Sequence, residues 1–302
     1  MIEVRGLTKR YGPQTVVDDL SFTVEAGQVT GFLGPNGAGK STTMRMIIGL
    51  AAPDRGTATI GGRNYRDLAV PLVEVGALLD AGAVHGGRTA YDHLHALAVS
   101  NGLPRKRVDA VLARTGMEGV AGKRAGGFSL GMRQRLGIAA TLLGEPRVLI
   151  FDEPVNGLDP EGIRWVRDLM RSLAAEGRAV LVSSHLMSEM AQTADHLIVI
   201  GRGRLIADTA VSELTRTNGE GAVVVRVSDR ARFAQQLSAA GATVRDGLES
   251  SLVVSGMSAA DIGQLAAYHG VALSELTPQR VSLEEAFMEL TRDSIEFSGV
   301  AA

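Results

Sequence analysis

The sequence predicts an α/β fold, a largely parallel sheet with flanking helices, followed by a small α+β domain of ferredoxin-like order. Three observations predict it. Two apolar runs, RVLIF (147–151) and AVLVS (179–183), read as buried parallel strands and bracket a helical pattern, EGIRWVRDLMRSLAAEG. A third run, VTGFL (29–33), passes through a glycine-rich turn into a second helical pattern, STTMRMIIGL. Beyond a polar, glycine-containing stretch at 216–221, the chain reads β-α-β-β-α-β.

In chain order, residues 2–5 and 21–25 look like short strands, with turn chemistry at Gly12-Pro13 and Ala26-Gly27. The run 105–108 (RKRV) reads as a solvated helix start. FSLGMRQRLG (128–137) opens another helix. HLIVI (196–200), GRG and LIADT form a hairpin that closes the first domain, 1–215. After the linker 216–221, the second domain (222–302) contains VVVRV (223–227), a helix over 229–240, TVR (243–245), LVV (252–254), a helix over 258–269 and VALSEL (271–276). An amphipathic helix over 282–291 follows, with Ser282 and Glu285 as a capping box.

Composition sets limits on function. The 302 residues are 45% hydrophobic and 21% charged, as in ordinary globular proteins, and allow one large or two ordinary domains. A net charge of −2 offers no basic field for nucleic acid, so none is expected as partner. Cysteine is absent, which removes disulfide frameworks and thiolate metal sites. No apolar run approaches the roughly 18 residues of a spanning helix, and the N-terminus lacks a signal-peptide pattern. A cytoplasmic chain with no membrane span is expected, and any membrane role must come through a partner.

Chemistry concentrates in a few places. Gly34-Pro35-Asn36-Gly37-Ala38-Gly39-Lys40-Ser41 matches G-x-x-x-x-G-K-[ST] in full, between a strand and a helix, and Thr42 follows it. Glycines there let backbone N–H groups turn toward phosphate oxygens at a helix N-terminus. Lys40 adds a point charge for the β- and γ-phosphates, and Ser41 a hydroxyl for Mg²⁺. VLIFDEP (148–154) ends a buried strand in two acids: Asp152 suits a metal shell and Glu153 a general base. A solvated acidic turn is the ordinary alternative. His185, past the strand AVLVS, reaches the same sheet edge, or simply caps the next helix. His93 and His95 are two apart and do not share a helix face, so they suggest no metal site. His85, His196 and His269 give no functional signal.

GPNGAGKST, FSLGMRQRLGIA, VLIFDEPVNGLDP and SSHL, in that order, resemble the ATPase subunit of an ABC transporter over about residues 1–215. The nearest likeness is to bacterial daunorubicin- and bacitracin-resistance exporter ATPases, which also carry an extra C-terminal region. This resemblance implies an ABC-type P-loop NTPase with an antiparallel β subdomain and a helical subdomain, binding ATP and Mg²⁺. It implies that Tyr11 stacks on adenine, Gly34 to Thr42 hold phosphates, and Asp152 joins the metal shell. Glu153 becomes the general base and His185 the residue near the γ-phosphate. Ser129 and Gly131 match the family signature, and Asp159 the turn through which two subunits communicate. The implied assembly is a homodimer on a separate transmembrane permease, at the inner face of the membrane, exporting a drug, antibiotic or other hydrophobic compound.

Two departures stand out. The usual L-S-G-G-Q signature reads Phe128-Ser129-Leu130-Gly131-Met132, and a usual glutamine is replaced at Asp80, which can still hold a metal or be only a loop acid. Two rivals share the phosphate loop. A soluble ABC-type ATPase of translation or DNA repair would carry two cassettes or long coiled coils, and neither is visible. A stand-alone GTPase or kinase would leave FSLGMRQRLG without a role. The N-K-x-D base-reading motif of GTPases is absent.

Overall fold

The computed structural model of the protein describes residues 1–184, 186–213, 222–247 and 251–278. They fall into two compact units, one built from Met1–Ala210 and a second beginning at Val211. The expected linker 216–221, His185 and the helix over 282–291 with its Ser282–Glu285 box lie outside the described residues.

The first unit contains two sheets. Strands β1 (Ile2–Tyr11), β2 (Gln14–Val24) and β4 (Arg55–Ile60) form an antiparallel sheet in the order β2-β1-β4. The second sheet has the order β5-β6-β7-β3-β8-β9. Its strands are β3 (Val29–Leu33), β5 (Val75–Leu78), β6 (Val148–Asp152), β7 (Ala179–Ser184), β8 (His196–Gly201) and β9 (Arg204–Ala210). All its pairings are parallel except the β8–β9 hairpin. Strands β3 and β7 are buried at every position, which is why they read as unbroken apolar runs.

The expected strands 2–5 and 21–25 prove to be the ends of a much longer hairpin. Polar residues along its solvated face hid the middle from an apolar count. Strand β4 was not anticipated, because RGTATI has only one large apolar residue. Its Gly56, at φ 77°, lies so close to β1 that a Cβ would stand 2.2 Å from the Gly6 carbonyl oxygen. Only the tertiary approach gives that glycine its reason.

Helices α1 (Lys40–Ile47), α2 (Pro71–Glu74), α3 (Ala90–Ser100), α4 (Lys106–Arg114), α5 (Leu130–Leu142), α6 (Pro160–Ala175) and α7 (Met187–Thr193) complete the unit. One core joins the two sheets through α1, with Leu20, Phe22, Phe32, Met44, Ile47 and Ile150 at its centre. The Phe22 and Phe32 rings sit 5.3 Å apart and tilted. Burying a side chain of that size contributes about 1.5–3 kcal/mol. This core holds β3 and α1 rigidly, and with them the loop between.

In the second unit, β10 (Val223–Val227), β11 (Thr243–Asp246), β12 (Leu252–Ser255) and β13 (Leu273–Pro278) form an antiparallel sheet in the order β11-β12-β10-β13. With the helices Arg230–Ala239 and Ala259–Tyr268 this is the ferredoxin-like arrangement. Alternate strand residues Val223, Val225 and Val254 pack on Phe233, Leu237 and Ile262 of those helices. Asp229 and Ser258 cap the helices, accepting from the N–H groups of Arg232 and Asp261.

Candidate active site

Strands β3, β5, β6 and β7 end at one edge of the parallel sheet, where open α/β sheets bind ligands. From Leu33 the chain enters the 34–39 loop and then α1. Gly34 has no room for a side chain: a Cβ would stand 2.4 Å from the Ile200 carbonyl oxygen. Gly39 is at φ 103°, and its Cβ would meet the Val16 carbonyl oxygen at 2.7 Å. The loop is tied down by Ala38 N–H to Pro35 O at 3.1 Å and Gly203 N–H to Ala38 O at 3.1 Å.

Helix α1 begins without a side-chain cap and without an acid in its first turn. By contrast, Thr89, Ser129 and Asp159 cap α3, α5 and α6, accepting from the N–H groups of Asp92, Met132 and Gly162. The first N–H groups of α1 therefore retain their capacity for an anion, at the positive end of the helix. They face a cleft of about 220 Å³ lined by Val16, residues 36–42 and Glu153.

Lys40 is 7% exposed, and its Nζ donates to the carbonyls of Gly34 (2.7 Å) and Pro35 (3.2 Å). Burial pushes its pKa down, and the nearby Glu153 and Asp152 carboxylates act in the opposite direction. A buried cation beside two acids and a loop of inward carbonyls is a ready partner for phosphate oxygens.

Asp152 is the last residue of β6, paired in register with Ser183 of β7. The Ser183 hydroxyl donates to Asp152 Oδ1 at 2.5 Å and accepts the Glu153 N–H at 2.9 Å. Glu153 itself has φ 50°, a left-handed conformation that residues other than glycine seldom adopt. This backbone turn separates the two consecutive acids, so that Glu153 lines the cleft. The donors near the cleft, the Ser41 hydroxyl and carboxylate oxygens, are all hard oxygens, the chemistry that Mg²⁺ takes.

This cradle can hold a polyphosphate. A family model described as "ABC transporter" matches residues 17–156. A second, a domain of unknown function (DUF8746), matches residues 221–284. The uncharacterized ABC transporter ATP-binding protein YhcH of Bacillus subtilis is 35% identical over 301 residues, 98% of this chain and 97% of the relative. The bacitracin transport ATP-binding protein BcrA of Enterococcus faecalis is 33% identical over 96% of each chain. The chain belongs to the ABC transporter ATP-binding protein family. A solved ATP-binding subunit of an ABC transporter superposes with a TM-score of 0.66 at 30% identity, covering 72% of this chain and 93% of that one. The protein is thus an ABC ATPase, the ATP-binding subunit of a transporter, and the translation- or repair-type alternative is not favoured.

The remaining expected residues of this ABC ATPase do not line the cleft. Gly34 and Pro35 support Lys40 from beneath rather than lining the cleft. Tyr11, 52% exposed at the end of β1 with the Lys9 ammonium 5.5 Å from its ring centre, is not part of the lining. Ser129 and Asp159 are exposed helix caps, also outside it. Asp80 is exposed two residues past β5, its carboxylate accepting the Gly82 N–H at 2.7 Å. Among the described residues no helix is long and apolar enough to cross a membrane. Sequence reasoning missed Val16, Ser183 and Gln134. None of the three had a signal in the sequence: Gln134 stands between Arg133 and Arg135, and only its burial in the structure singles it out.

Proposed function

We propose that two copies of this chain enclose ATP between them and hydrolyse it to drive a separate membrane permease. One observation carries the reading: the uncapped N-terminus of α1, the buried Lys40 and Glu153 meet in a single cleft. In this reading the Lys40 ammonium leaves the Gly34 and Pro35 carbonyls for the β- and γ-phosphates. Tyr11 stacks on adenine. Ser41 and Asp152 hold Mg²⁺, which neutralises phosphate charge when bound, and Asp80 approaches the same region. Glu153 orients a water and accepts its proton as the water oxygen attacks the γ-phosphorus. The bond to the β-phosphate oxygen then breaks, and ADP and phosphate leave. Positioning and charge stabilisation do most of this work. His185, near the γ-phosphate in this reading, is assigned on family resemblance.

Ser129 is exposed and Gly131 half-buried, and neither lines the cleft at their own phosphate loop, which suits contact with the nucleotide of a second copy. Asp159 lies in the turn that would face that copy. The relative named for bacitracin transport supports an exported antibiotic or similar hydrophobic compound as cargo. The C-terminal domain, taken as 222–302 in this reading, is assigned to dimer support and regulation. Replacing Glu153 by Gln should lower turnover by about 10²- to 10⁴-fold while sparing ATP binding, as for a lost general base. Near-normal turnover by Glu153→Gln would remove that residue from the role.

A further inference from the structure

Gln134 is 4% exposed on α5, a helix that also buries Leu136, Ile138 and Ala139. A buried amide is costly unless it is paired. Its Nε2 donates to the Pro154 carbonyl at 2.6 Å. Pro154 directly follows Glu153, whose left-handed backbone persists only if its surroundings over-determine it. On the other side, the Glu153 N–H is held by the Ser183 hydroxyl at 2.9 Å. The strained residue is therefore gripped before and after its own Cα.

The same two segments touch twice more. Leu130, a departure from the family signature, lies over Gly157, where a Cβ would stand 2.2 Å from Leu130 Cδ2. Gly131 faces Leu158, with its would-be Cβ 3.4 Å from Leu158 Cδ2. Gly157 is at φ 71°, so the 153–158 loop has left-handed residues at both Glu153 and Gly157. Such a loop has few ways to relax while α5 holds it.

We infer that Gln134 is a positioning residue that pins the Pro154 carbonyl, fixes the backbone of Glu153, and joins the start of α5 to the loop carrying the general base. Ser129 opens that same helix. Engagement of a neighbour's nucleotide at Ser129 is then transmitted along α5 to the Glu153 of the same chain. This inference rests on the role proposed for Glu153, but the geometry behind it can be tested separately.

The test uses the full chain with Gln134→Met, which keeps the shape and removes the donor. Amide hydrogen exchange is followed by mass spectrometry without nucleotide, together with ATP affinity and turnover. Exchange over 153–158 should rise about 5- to 10-fold, as expected when one restraining hydrogen bond is lost, while 29–47 is unchanged. ATP affinity should stay within about twofold and turnover fall about 10- to 100-fold, the scale of a misplaced catalytic group. Gln134→Glu, which has no donor when ionised, should move the same way and serves if the methionine variant does not fold. Wild-type exchange in 153–158 overturns the inference, as does a parallel loss of ATP affinity and turnover. If Glu153→Gln retains full turnover while Gln134→Met loosens the loop, the role of Glu153 fails and the pinning stands.

Discussion

Ser183 bridges the last residue of a neighbouring strand and the residue that follows it: its hydroxyl donates to the Asp152 carboxylate and accepts the Glu153 N–H. One fully buried serine thereby sets the aim of both acids. Ser183→Ala removes both bonds and takes the hydroxyl away from the part-buried Glu153 N–H and the Asp152 carboxylate. Stability in urea should fall by about 1–3 kcal/mol, the cost of an unsatisfied buried group. An unchanged midpoint would show that the hydroxyl is dispensable to the fold.

Lys40→Met tests the phosphate cradle. At an ATP concentration 100 times Kd, the wild type should gain about 2.7 kcal/mol of stability, and the variant none, in thermal melts with and without ATP. Burial lowers the Lys40 pKa from its ordinary value of 10.5, so the ammonium is present below that lowered pKa and lost as pH rises through it. Wild-type ATP affinity should therefore weaken on the alkaline side earlier than an ordinary lysine would dictate. An ATP-dependent melting shift in Lys40→Met would contradict the cradle.

Ser129→Ala separates the two halves of the proposed composite site. The variant loses the α5 cap, worth about 0.5–2 kcal/mol, yet keeps the whole phosphate loop. Titration should show monomer ATP affinity close to wild type, with hydrolysis no longer rising cooperatively as the protein concentration increases. Retained cooperativity would place Ser129 outside the interface.

Removal of residues 222–302 tests the accessory unit. Dimerisation by ultracentrifugation should weaken, and ATP turnover per chain should fall with it, if this unit supports assembly. A truncated chain that assembles and hydrolyses like the full one would leave the unit without either role.

Much of this protein was legible in one dimension. The full G-x-x-x-x-G-K-S match, the apolar runs of β3, β6 and β7, and the β-α-β-β-α-β order depend on local periodicity and local backbone demands, which are written in adjacent residues. Strand β4 was not legible, because its glycine answers to β1 across space and its threonines face a partly solvated side. Nor were Ser183 and Gln134, since a serine or glutamine in a list of residues does not reveal which strand end lies beside it.

Adjacent residues alone name the candidates for a phosphate site, the glycines that admit the loop and Lys40, and beside them the acid pair at 152 and 153 proposed for metal and water. The tertiary structure decided how they are aimed. Register between β6 and β7 brings Ser183 to Asp152, and the packing of α5 brings Gln134 to Pro154. Between them they grip a left-handed Glu153 that local preference disfavours. The physical reason is that a strained backbone is held by partners distant in the chain, and their proximity exists only once the core has closed.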